Sequence, residues 1–136
     1  MQMVLRFFIA GVLMAAGGSK LLDLPGFVLV LRSYGVFAKG LLWPAALAVT
    51  VVELALAIWL ILGRQLARGA AASILLHAIY ACWGVFMLLR GEPILNCGCF
   101  GTFMVRPLSW TTVLEDLALM IISVALFMLT RRPAAR

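Results

Sequence analysis

Four apolar runs constrain this chain more than any other feature. They lie at residues 4–22, 41–63, 69–89 and 110–130, each close to the ~20 residues a helix needs to cross ~30 Å of hydrocarbon. A bilayer interior offers no water to backbone N–H and C=O groups, so runs of this length read as membrane-spanning helices. Composition agrees. At 65% hydrophobic, 12% charged and a mean hydropathy of +1.15, the 136 residues carry more apolar surface than a soluble domain of this length can bury. The expected fold class is therefore all-α, an integral membrane four-helix bundle forming one domain over residues 1–136. The net charge of +6 is scattered between the apolar runs, so it reads as charge flanking a lipid bilayer and excludes a nucleic-acid role.

The first run also has the outline of a secretory signal, with Arg6 as its basic region and Ala15-Ala16-Gly17 as a small-residue cleavage site; we read it as a span. Its Gly11, Ala15 and Ser19 recur every fourth residue, a small-residue face that would let a neighbouring helix approach. Asp23-Leu24-Pro25-Gly26 then breaks the run, with Asp23 suited to an N-cap and Pro25 to an early helical position. The short helix that follows places Phe27, Leu31 and Tyr34 on one side and Arg32 towards water. This predicts an interfacial helix between spans one and two.

The loop at residues 91–109 holds Asn96-Cys97-Gly98-Cys99-Phe100-Gly101 among prolines and glycines, chemistry suited to irregular backbone. Two residues apart in a turn, the Cys97 and Cys99 Cα atoms lie roughly 5.5–7 Å apart, overlapping the ~4.4–6.8 Å that a disulfide accepts. Such a small ring is strained and labile, so the pair suits thiol–disulfide exchange. The same sulfurs suit a soft metal such as mercury, copper or zinc, although the second Cys/His pair of a closed zinc site is missing. Inert buried thiols are the bland alternative. Cys82, within span three, is a candidate relay to the loop thiols or simply a small hydrophobe. The dispersed methionines argue against a copper path.

Ionisable groups inside spans are costly and face the bundle interior. Glu53 and His77 each lie roughly 18 Å from the outer end of their spans. They are candidates for a proton-handling or quinone-facing pair, or for a structural hydrogen bond. Lys20 is level with Glu115 and Asp116 to within about two helical turns, which predicts an ion pair joining spans one and four. Basic residues are denser around Arg6, Arg64, Arg68, Arg131, Arg132 and Arg136 than around Lys20, Arg32, Lys39, Arg90 and Arg106. The positive-inside rule then puts both termini in the cytoplasm and the cysteine loop on the outer, oxidising face.

Gly17-Gly18-Ser19-Lys20-Leu21-Leu22-Asp23, the mid-span Glu53, and Asn96-Cys97-Gly98-Cys99-Phe100-Gly101 followed by Leu108-Ser109-Trp110 resemble the MauE-type methylamine-utilisation membrane proteins within the broader DoxX-like group. The resemblance covers nearly the whole chain, with the Cys-Gly-Cys-Phe-Gly element its most specific part. It implies a four-helix protein of a bacterial-type inner membrane, concerned with disulfide maturation of periplasmic proteins beside a thioredoxin-like partner. By that resemblance Cys97 and Cys99 become the redox pair of a thiol–disulfide oxidoreductase. Its electrons would pass to or from a periplasmic thioredoxin-like protein, or a quinone held near Glu53, His77 and Trp83. A soft-metal carrier using Cys97, Cys99 and Cys82, and a non-catalytic assembly factor, are the rival functions.

Overall fold

The structure is a computed structural model that describes residues 1–131. Its helices are α1 (Gln2–Leu22), α2 (Leu24–Ser33), α3 (Leu42–Leu62), α4 (Leu66–Leu89) and α5 (Trp110–Arg131), with a 3₁₀ turn at Lys39–Leu41 leading into α3. Four segments, Gln2–Leu22, Lys39–Leu62, Leu66–Leu89 and Trp110–Arg131, are long and apolar enough to cross a membrane. The fold is all-α, with α2 as the shorter interfacial helix between the first two spans. Asp23 caps α2 as expected, accepting from the Gly26 N–H at 3.0 Å, with Pro25 in the first turn. Arg132 and Arg136, which contribute to the expected orientation, lie outside the described residues.

The bundle consists of two antiparallel pairs. In the first, Arg6 of α1 donates to the Ile61 carbonyl near the end of α3 at 2.8 Å, and Gly17 near the end of α1 lies against Glu53 and Leu54 of α3. In the second, Ser73 of α4 and Ser123 of α5 share a hydrogen bond of 2.9 Å, and Gly84 meets Val113. Ile9, Ala10 and Leu13 of α1 close the two pairs together against Leu56, Leu60, Ala70, Leu76 and Leu126. At the other end, Phe27 and Leu31 of α2 and Tyr34, its C-cap, pack with Leu42 and Ala46 of α3 and Met87 of α4. This is the side of α2 expected from sequence.

The packed face of α1 differs from the expected one. Gly11 and Ala15 are exposed, and a Cβ at Gly11 would meet nothing within 4 Å. The inward residues are Ile9, Ala10, Leu13, Ala16, Gly17 and Lys20. Counted back from Lys20, they fall three, four, seven, ten and eleven residues away, which is one helical face. Lys20 must turn inward to meet a counter-ion, and that requirement outranks the small-residue spacing of Gly11, Ala15 and Ser19. Close approach is supplied by Gly17 alone on this face. A Cβ there would stand 2.9 Å from Leu54 Cγ and 3.1 Å from Glu53 Cβ.

Gly17→Val should therefore overpack the α1–α3 contact at a cost of about 1–3 kcal/mol. Gly11→Val, facing outward, should stay within about 0.5 kcal/mol of the parent. Unfolding midpoints in detergent check this; equal losses for the two variants would place the helix contact elsewhere.

Candidate functional site

The cysteine turn is built by the loop's own hydrogen bonds and then seated on the α1–α2 junction. Cys97 N–H donates to the Arg106 carbonyl at 2.7 Å and Leu108 N–H to the Ile94 carbonyl at 2.9 Å, drawing the two arms of the loop together. Asn96 holds the turn from within, its Oδ1 accepting from Gly98 N–H at 3.0 Å and its Nδ2 donating to the Gly101 carbonyl at 3.1 Å. Gly98 has φ +69°, a conformation that favours glycine. A Cβ there would also press on Val30 at 3.0 Å and Phe27 at 3.2 Å. Three long-range bonds seat the turn. Tyr34 Oη donates to the Cys97 carbonyl at 2.7 Å, Lys20 Nζ to the Cys99 carbonyl at 2.8 Å, and Thr102 Oγ1 to Asp23 Oδ2 at 2.6 Å.

This arrangement leaves the Cys97 and Cys99 sulfurs 2.6 Å apart, close to the ~2.05 Å of a disulfide bond. Both thiols are free. Negative charge gathers on Cys97. Its pKa is lowered to about 6, first by the side-chain hydrogen bond it shares with Cys99, then by the Cys99 N–H at 3.4 Å and the Arg106 guanidinium, against the opposing cost of burial. Cys99 is pushed up by the same Sγ–Sγ hydrogen bond and by burial. Burial and the adjoining Cys97 charge also raise the Tyr34 phenol, keeping it a donor. The turn thus favours the thiolate at Cys97 and the protonated thiol at Cys99.

Beneath the turn lies a buried polar cluster. Lys20 Nζ donates to both Glu53 oxygens, at 2.9 and 2.8 Å, and to the Cys99 carbonyl, so all three of its protons are used. Tyr80 Oη donates to Glu53 Oε1 at 2.8 Å. Lys20 and Glu53 side chains are 3% and 1% exposed, so neither ion has water to fall back on. These groups open on a cavity of about 570 Å³. Its wall includes Cys97, Cys99, Glu53, Tyr80, Trp83 and Asp116, and is otherwise largely apolar.

Three expected partnerships are redistributed. Lys20 pairs with Glu53 instead of Glu115 or Asp116, because α1 lies along α3; Glu115 is taken by Arg106 on the exposed side. Asp116 lines the cavity. Glu53 and His77 share that cavity without bonding to each other. His77 Nδ1 donates to the Ser73 carbonyl at 2.8 Å, while Glu53 accepts from Lys20 and Tyr80. Cys82 is exposed on α4 and absent from the cavity wall that the loop thiols line. Tyr34, Tyr80 and Arg106 join the site without having been singled out by sequence. The tyrosines did carry a signal, since the chain has only 2 and each lies in or beside an apolar stretch, where a phenol seeks a partner. Arg106 carried none.

A family model described as methylamine utilisation protein MauE matches residues 1–129. Among curated proteins, methylamine utilization protein MauE of Paracoccus denitrificans is 34% identical over 131 residues, covering 96% of this chain and 69% of the relative. No solved structure gives a significant match.

Two outcomes follow from this geometry. Removing one partner of a buried ion pair costs about 3–5 kcal/mol because the other charge is stranded. Lys20→Met and Glu53→Leu should each lower the unfolding midpoint in detergent, and the double variant should be more stable than either single one; additive losses would mean the two groups are not coupled. Alkylation of Cys97 by iodoacetamide, followed by peptide mass spectrometry in a Cys82→Ser background, should rise through about pH 6. Above that pH the thiolate persists and the rate levels off. Cys99 should react only in more alkaline solution, and Arg106→Gln should move the Cys97 midpoint upward.

Proposed function

The chain belongs to the MauE family, and from that premise we propose that it is a membrane thiol–disulfide redox protein whose working pair is Cys97 and Cys99. The observation that carries this reading is the turn itself, which holds two free sulfurs 2.6 Å apart. An attacking thiolate and a protonated neighbour are what exchange requires. The Cys97 thiolate attacks a partner disulfide, forming a mixed disulfide and releasing one partner thiolate. Cys99 then loses its proton and attacks the Cys97 sulfur, closing the Cys97–Cys99 disulfide and releasing the partner as a dithiol. Two electrons pass to the partner; the reverse sequence oxidises it.

A thioredoxin-like protein or a secreted disulfide-containing protein is the partner this chemistry suits. Binding of a soft metal is the weaker reading, because among the described residues no group of three or more His, Cys, Asp or Glu side chains is placed to hold one. The density of Arg6, Arg64, Arg68 and Arg131 at the opposite end of the bundle supports placing the cysteine turn on the periplasmic side of a bacterial inner membrane, with both termini cytoplasmic. There disulfides persist.

Spheroplasts carrying Cys99→Ser test the reading. This variant should accumulate a reducible adduct through Cys97, visible on non-reducing gels and identified by mass spectrometry. The Cys97→Ser/Cys99→Ser variant should form none, and Cys82→Ser should behave as the parent. In the same cells an impermeant maleimide should reach the reduced loop thiols without lysis. Stoichiometric metal in the parent with no adduct in either loop variant would replace exchange by metal binding.

A further inference from the structure

The cavity below the cysteine turn has a volume within the ~300–1,000 Å³ of small-molecule sites, and neither the exchange reaction nor the packing accounts for it. Phe8 of α1 and Ile79 of α4, both within spans, line it and are 52% and 53% exposed. Its mouth therefore opens sideways, among acyl chains. A water-soluble protein cannot enter there, but a molecule dissolved in the bilayer can. The roof is the thiol pair, and Cys97 is only 9% exposed.

Resting on the redox reading above, we propose that the cavity binds a lipid-soluble quinone, which exchanges two electrons with the Cys97–Cys99 pair. A simple acyl chain would fill the apolar part but leave the polar part unsatisfied. Asp116, which has no side-chain hydrogen bond among the described residues, and the Tyr80 phenol oxygen both face the cavity. A quinone carries oxygens at opposite edges of its ring, and its quinol carries hydroxyls that these groups can accept; Trp83 supplies a flat apolar wall. In the oxidising direction the Cys97 thiolate and Cys99 thiol together lose two electrons and join as a disulfide. The quinone gains those electrons, takes the Cys99 proton and one further proton from water, and leaves as quinol. The pair is then ready to oxidise a partner dithiol, and with quinol as donor the same steps run backwards.

The test uses the full-length protein in nanodiscs, its thiols reduced, with decylubiquinone as the probe. Quinone should quench tryptophan fluorescence saturably, less so in Trp83→Phe, and should form one Cys97–Cys99 disulfide per quinol produced. Ala118→Phe combined with Ile79→Trp narrows the mouth from two exposed positions. It should slow the quinone reaction at least about tenfold, the equivalent of ~1.4 kcal/mol, while exchange with glutathione disulfide is unchanged. Normal glutathione exchange without quinone reduction, or displacement of the quinone by equimolar palmitate, would overturn the quinone site and leave the redox reading intact. Saturable quinone binding beside thiols inert to both quinone and glutathione would instead overturn the redox reading and the electron step, upholding binding alone.

Discussion

The Lys20–Glu53 ion pair is the interaction on which the rest of this structure depends. Withdrawing two ions from water costs several kcal/mol each, and their attraction repays it only where the remaining hydrogen-bonding capacity is filled. Here it is filled by Tyr80 on the carboxylate and by the Cys99 carbonyl on the ammonium. To meet Glu53, Lys20 must face inward, which fixes the inward face of α1 down to Ile9. The contact also fixes the register of α1 against α3 and requires glycine at position 17, where Cβ would collide with Leu54. One electrostatic requirement thus determines helix rotation, helix register and a local sequence choice.

The same ammonium ties the membrane interior to the chemistry above it. The cysteine turn lies in sequence between α4 and α5, yet its long-range anchors are Lys20 of α1, Asp23 at the α1–α2 junction and Tyr34 at the C-cap of α2. The junction is a suitable anchor because the Asp23 cap already fixes it, one carboxylate oxygen holding α2 and the other accepting from Thr102. Phe27 and Val30 of α2 lie directly under Gly98. The interfacial helix is thus the seat of the thiol pair.

The spans, the interfacial helix and its Asp23 cap were legible in the sequence because each depends on local pattern: apolar length, a Pro-Gly break, a capping residue. The cysteine pair was legible because its spacing alone brings two sulfurs within reach. The partners of the buried ions were not. Lys20 could be levelled with Glu115 and Asp116 by counting residues, but depth does not say which helix is the neighbour, and α1 lies beside α3. Glu53 and His77 share the central cavity for the depth reason found in sequence, whereas their bonds go to Tyr80 and Ser73. Cys82 faces outward because the rotation of α4 turns Ser73, His77 and Gly84 inward, a choice set by packing against neighbouring helices.

The position of Lys20 so near the end of its helix has a consequence for how the protein is made. Glu53 lies 33 residues later in the chain and Cys99 lies 79 residues later, so Lys20 is synthesised before either partner. Two residues from the end of α1, a lysine can snorkel to the headgroups while it waits. Glu53, near the middle of α3, has no such refuge, and its counter-ion precedes it in the chain. The last ammonium proton finds its acceptor only when the loop preceding the final span folds back, which makes assembly of the thiol turn a late event in biogenesis and couples it to completion of the bundle.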